Sequence, residues 1–149
     1  MLIFIRNAAP LNDAYDGPIS ESEKKRAEKI GFLLTRSYGK PDFIFTSPFQ
    51  QCTETAANMS NQPHTVNNDL ARFIKTKEEQ NKYILTVDGN KKNFLHRCKK
   101  VLRDYKHYIK EKKIVWIITH GQNLEGYAHY LKFDLPDKKP YLFSFSFTY

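Results

Sequence analysis

Three short, unbroken apolar runs most constrain what this 149-residue chain can fold into: Leu2-Ile3-Phe4-Ile5, Phe43-Ile44-Phe45 and Ile114-Val115-Trp116-Ile117-Ile118. Runs of this length are too short for a buried helix, and they lack the apolar/polar alternation of a strand with one wet face. They read as strands covered on both sides. Such strands need helices above and below the sheet, and the segments between them carry helical periodicity. Connections through helices cross over the sheet, so the strands are expected to run mainly parallel. The expected fold is α/β, a three-layer α/β/α sandwich in a single domain over residues 1–149.

Start and stop signals place the helices. Ser20 opens the first, with Glu23 completing a Ser-x-x-Glu capping box; Ala27, Ile30, Leu33 and Leu34 form its apolar face, and Gly39-Lys40-Pro41 ends it. Ser47-Pro48 turns the chain into a second helix, Pro standing near its first position, with Cys52, Thr55, Ala56 and Met59 on one face. Residues 61–68 are polar and irregular; Leu70 to Ile74 fits a short strand and Glu78 to Leu85 a short helix. Asn90 to Lys110 is the clearest helix, placing Phe94, Cys98, Val101, Leu102, Tyr105 and Ile109 on one side and lysines on the other. His120-Gly121 leads into a helix from about Asn123 to Leu131, and Tyr141 to Tyr149 alternates like a half-buried strand.

Composition excludes several classes. A mean hydropathy of −0.63 with 14% aromatic residues describes a polar surface around an aromatic core rather than disorder. No apolar run approaches the ~20 residues of a membrane span. The leading run stops at Arg6, too short for the apolar part of a signal peptide, so a cytoplasmic or nuclear location is expected. Cys52 and Cys98 form neither a disulfide framework nor a metal-ligand spacing and are expected to be buried thiols. Asn58-Met59-Ser60 is a chance match to a glycosylation acceptor. The reading requires no metal and no cofactor.

In open α/β sheets, ligands bind where strands end and helices begin, because helix N-termini present free N–H groups. Three such junctions here open on polar residues: Arg6-Asn7, Ser47 and Thr119-His120-Gly121. A guanidinium fork, a hydroxyl and a protonated imidazole gathered there would suit a phosphate or carboxylate.

Four segments share their order and spacing with one family. They are Leu2-Ile3-Phe4-Ile5-Arg6; Gly17-Pro18-Ile19-Ser20-Glu21 with Ala27 and Ile30-Gly31; Phe45-Thr46-Ser47-Pro48-Phe49 with Thr55-Ala56; and Ile118-Thr119-His120-Gly121. In these the chain resembles the histidine phosphatase superfamily, which includes the phosphoglycerate mutases, and at this length it looks most like the short, cap-less members. The resemblance implies a phosphoglycerate mutase-like fold. It also implies a site in which a histidine after the first arginine takes up the phosphoryl group, while two arginines and a second histidine hold its oxygens.

Carried over residue by residue, Arg6 is the first arginine and His120 the second histidine, but the nucleophile position is Asn7. A carboxamide nitrogen is conjugated with its carbonyl and is not nucleophilic, so Asn7 can hydrogen-bond a phosphate without accepting it covalently. Ala8 and Ala9 replace the glycine and acidic residue that usually follow, Gln51 stands at the second arginine, and Arg72, after Leu70-Ala71, stands where some members carry a proton-donating acid. The resemblance with these departures implies a pseudophosphatase. It would act in binding or assembly, with Arg6, Ser47, Gln51 and His120 left as a weak phosphate or anion pocket for a phosphorylated or acidic ligand. An active phosphomonoesterase or phosphohistidine phosphatase with an atypical site is the alternative.

Charge supplies a competing reading. The net charge is +8, and the stretch from Lys75 to Lys113 holds thirteen basic residues against five acidic ones, which accounts for all of it. Lys99, Lys100, Arg103 and Lys106 form the centre of a basic surface on the 90–110 helix that could meet nucleic acid. However, no named nucleic-acid motif is present, and Lys99 and Lys100 are adjacent rather than stacked one turn apart. Some divergent members of the resembled superfamily are non-catalytic parts of larger assemblies, including a transcription-complex subunit. The aromatic C-terminal strand offers an edge to which a protein partner could pair.

Overall fold

The computed structural model describes residues 1–74, 76–83, 88 and 90–148. Among them, β1 (Leu2–Arg6), β2 (Phe43–Thr46), β3 (Thr65–Val66), β4 (Val115–Thr119) and β5 (Ser144–Phe147) form one sheet in the order β3-β2-β4-β1-β5. β2 and β1 flank β4 in parallel, with Ile44 opposite Trp116 and Ile3 opposite Trp116; β3 is also parallel, and β5 is antiparallel to β1. The three apolar runs are therefore the three central strands. Their side chains point alternately to two cores, as the pleat requires.

Helices α1 (Glu21–Tyr38) and α2 (Gln50–Met59) cover one face of the sheet, packing on Ile3, Ile5, Ile44, Trp116 and Ile118. Helices α4 (Lys91–Lys110) and α5 (Gly121–Leu131) cover the other, where Phe94, Cys98, Val101, Tyr105, Leu124 and Tyr127 meet Leu2, Phe4, Val115 and Ile117. Trp116, with none of its surface exposed, is a central packing element of the first core; a change to Ala there is expected to cost about 3–5 kcal/mol. A short α3 (Lys77–Tyr83) lies between the layers in sequence. No helix among the described residues is long and apolar enough to cross a membrane.

Two helix crossings depend on glycine. A Cβ at Gly31 in α1 would stand 2.0 Å from the Met59 carbonyl oxygen of α2, and one at Gly126 in α5 would stand 2.7 Å from Cys98 Sγ of α4. Both helix pairs thus approach backbone to neighbour, closer than any side chain would allow.

Several local expectations change. Residues 61–68 hold the two-residue strand β3, whose backbone continues into a bond from Asn67 N–H to the Thr46 carbonyl at 2.9 Å. Leu70 to Ile74 is not a strand: Asn68–Leu70 is a 3-10 turn, and the residues after it are held by side chains rather than by a ladder. The 78–85 helix is α3, beginning at Lys77; its expected continuation over 84 and 85 lies outside the described residues, as does Tyr149 of the C-terminal strand. Pro48 precedes α2, whose N-cap is Phe49, and α5 begins at Gly121 rather than Asn123. The capping box is half formed: Ser20 Oγ accepts from Glu23 N–H at 3.2 Å, but the Glu23 carboxylate accepts from Ala9 N–H at 3.0 Å. Glu23 therefore ties the segment after β1 to α1.

Candidate functional site

All three strand junctions lie at the carboxyl end of the sheet, and those after β1 and β4 border a cavity of about 370 Å³. Arg6, Asn7, Gln51, His120, Gly121 and Gln122 line it, together with Tyr15, Tyr141 and Arg72. The junctions are held to one another by backbone: Asn7 N–H donates to the Thr119 carbonyl at 2.8 Å, and Ser47 N–H to the Ile118 carbonyl at 3.0 Å.

Arg6 reaches from the end of β1 to the start of α5, where a Cβ on Gly121 would lie 3.3 Å from its Nε. Its Nη1 donates to the Lys139 carbonyl, its guanidinium stacks 4.1 Å from the Tyr141 ring centroid, and Nε has no partner among the described residues. Asn7, 4% exposed, donates Nδ2 to the Ala8 carbonyl at 2.7 Å. The segment that follows is anchored from α2, where Thr55 Oγ1 accepts from Ala8 N–H at 2.9 Å.

Ser47 does not line the cavity. It is fully buried behind His120, its Oγ 2.8 Å from His120 Nε2, with Cys52 Sγ 3.6 Å from the same nitrogen and the Phe49 ring edge-on at 4.7 Å. These contacts leave only Nδ1 of the imidazole to a ligand. Burial pushes the His120 pKa down to about 3, helped by the positive charges of Arg72, Arg97 and Arg6 and opposed by Asp16. The ring is therefore neutral at pH 7, and the imidazolium donor anticipated from sequence is instead a neutral group oriented by a hydroxyl. The Cys52 thiol is held well above its usual range by burial, so it is an inert neighbour rather than a second nucleophile.

Gln51 occupies the place of an arginine but works on the protein itself. Nε2 donates to the Tyr15 carbonyl at 2.9 Å, and Oε1 accepts from Gly17 N–H at 3.2 Å. Both ends of the amide thus pin the loop after β1, and Gln51 shapes the cavity wall with a neutral group in place of a charge.

A second guanidinium beside Arg6 comes from position 72. Arg72 lines the cavity and stacks 4.4 Å from the Tyr15 ring centroid. Its backbone is fixed by a buried clamp: the Arg97 guanidinium donates to the carbonyls of Asp69 (2.8 Å), Ala71 (2.5 Å) and Arg72 (3.0 Å). Arg97 also pairs with Asp88 at 2.6 Å, and Asp88 accepts from Ile74 N–H at 3.0 Å. Thr119 Oγ1 and Asn123 Nδ2 bond the Leu70 and Ala71 carbonyls from below, at 2.6 and 3.0 Å. Arg72 stands in sequence at an acid's position with no ligand role, and Tyr15, Tyr141 and the clamp carry no motif that marks them as part of the site. One signal for the clamp was present, since Arg97 falls on the apolar side of the 90–110 helix beside Phe94 and Cys98, where a charge needs a buried partner.

No family model matches the chain, and no curated protein matches it in sequence. Its three-dimensional likenesses are clear. The SixA protein of Agrobacterium tumefaciens superposes with a TM-score of 0.67 over 95% of this chain and 86% of that one, at 15% identity. The chain has the histidine phosphatase fold. An ecdysone phosphate phosphatase of Bombyx mori, solved in complex with tungstate, shares that fold with a TM-score of 0.62 at 17% identity, covering 94% and 81% of the two chains. A mycobacterial glucosyl-3-phosphoglycerate phosphatase does so with a TM-score of 0.63 at 15% identity, covering 91% and 80%. The histidine phosphatase fold thus reaches from β1 to β5, and the cavity stands at the strand ends where Arg6, Asn7 and His120 converge.

The basic residues of α4 lie elsewhere. Lys99, Arg103 and Lys106 are exposed on the helix's outer side, whereas Lys100 turns to Asp69 and to Asp104, 3.7 Å away.

Proposed function

We propose that this protein recognises a phosphorylated group in the cavity and does not hydrolyse it. The observation that carries the reading is the pairing of an amide at the nucleophile's place, Asn7, with two arginines, Arg6 and Arg72, each stacked on a tyrosine at the wall of one cavity. Stacking on Tyr141 and Tyr15 restricts the guanidiniums before a ligand arrives, which lowers the entropy lost on binding. The first N–H groups of α5 add donors that favour an anion. A cavity of about 370 Å³ accommodates a phosphate with a small substituent. Tungstate, a tetrahedral oxyanion, bound to a relative of the same fold is consistent with this reading.

The chemistry for turnover is missing on three counts. Asn7 has no basic lone pair, Gln51 is a neutral amide bonded to the loop, and position 72 offers a cation where a proton donor would be needed. Loss of a nucleophile alone removes several orders of magnitude in rate. The test is calorimetric titration with inorganic phosphate and tungstate, beside assays with a phosphomonoester and a phosphohistidine peptide. Binding without turnover is the expected result. Robust turnover abolished by His120→Ala would overturn the reading and favour an enzyme with an atypical site.

A further inference from the structure

Along α4, Lys92, His96, Lys99, Arg103, Lys106 and Lys110 recur at alternating spacings of four and three, which places them on one stripe of the helix. All six are exposed, and the Asp104 carboxylate bonds to the series, 3.5 Å from Arg103 Nε. At 1.5 Å per residue, the stripe runs about 27 Å. It overlooks a groove of about 580 Å³ between α4 and the end of α5, whose lining includes His96, Lys99, Arg103, Lys106 and Tyr130, with Lys100 also at its wall. Lys99 Nζ lies 5.9 Å from the Tyr130 ring centroid, so a cation and an aromatic face meet inside the groove.

We propose that this groove binds single-stranded nucleic acid without sequence preference, independently of the cavity. A row of cations tracking a backbone beside an aromatic surface is the arrangement that holds single strands, phosphates on the cations and a base on the ring. A duplex fits less well. Its bases are paired and stacked, so a duplex offers the Tyr130 ring no free base face and leaves only the phosphates to the cations. Charge on the opposite face provides the control: Lys25, Lys29 and Arg36 are exposed on α1, across the sheet from α4.

The experiment is fluorescence anisotropy of the whole chain with labelled dT20 and rU20 at 50 mM salt. K99E/R103E/K106E is expected to weaken binding at least tenfold, Tyr130→Ala about fivefold or more, and K25E/K29E/R36E, with the same change in net charge, less than twofold. With five cations engaged, at about 0.7 per phosphate contact, log affinity should fall against log salt with a slope of about 3 to 4. The milder K99Q/R103Q/K106Q set should lose affinity in the same direction, which guards against misfolding of the reversed variant. Arg72→Ala should leave strand binding unchanged. The proposal is overturned if neither oligonucleotide binds, if both triple reversals weaken binding equally, if Arg72→Ala abolishes it, or if a duplex or a polyglutamate peptide binds as tightly as the single strand.

Discussion

The cavity and the α4 stripe are both positive, yet their cations are held in opposite ways. In the cavity, Arg6 and Arg72 are fixed by carbonyls, rings and a buried clamp, and few charges act in a partly dry space. On the stripe, the cations sit on flexible stems in water, where one ion pair contributes little and only their number counts. The difference teaches that net charge alone does not name a ligand. Fixed cations suit a compact anion, while a solvated row suits an extended one.

The largest expected effect breaks the cavity side. Arg97→Met leaves Asp88 buried and unpaired, and should cost about 3–5 kcal/mol in chemical denaturation while releasing the segment that carries Arg72. Next, raising salt from 50 to 200 mM should weaken strand binding to the stripe about 100-fold and phosphate binding to the cavity only a few-fold, both read by titration. Arg72→Ala should lower oxyanion affinity by about 10- to 100-fold with little change in stability, since it removes a charge-assisted contact from a partly exposed side chain. Equal salt dependence of the two sites would erase the contrast.

A smaller effect follows from His120. Its pKa is about 3 in the fold against 6.5 in the unfolded chain, so between these values the unfolded state binds a proton that the folded state does not. Stability from this group is fully present above pH 6.5 and falls on acidification, by up to about 1.4 kcal/mol per pH unit. Denaturation of His120→Gln at several pH values should show a shallower dependence; an unchanged slope would place the acid sensitivity elsewhere. The smallest effect expected is that of Asn7→His, which introduces the imidazole that the resembled superfamily carries there but leaves Gln51 and Arg72 in place. Phosphomonoester turnover should stay near background.

How far these two regions could be read from residues differs for physical reasons. The central strands, α1 and α4 follow from local periodicity, and so did the convergence of Arg6, Asn7 and His120 at strand ends. The 69–74 segment did not, because its shape comes from Arg97, Thr119 and Asn123 reaching carbonyls more than twenty residues away. β3 is only two residues long and has no pattern to show. Gln51 reads as a lost arginine, and only the positions of Tyr15 and Gly17 reveal its amide as a brace. On α4, the adjacent Lys99 and Lys100 hid a stripe of which Lys100 is not a part.

The glycine at 126 carries a consequence for both surfaces. It lets α5 seat directly on Cys98 of α4, so the helix that begins at the cavity and the helix that bears the cationic row are packed at close range. A bulkier residue at 126 would push the two helices apart and change the distance between the two surfaces.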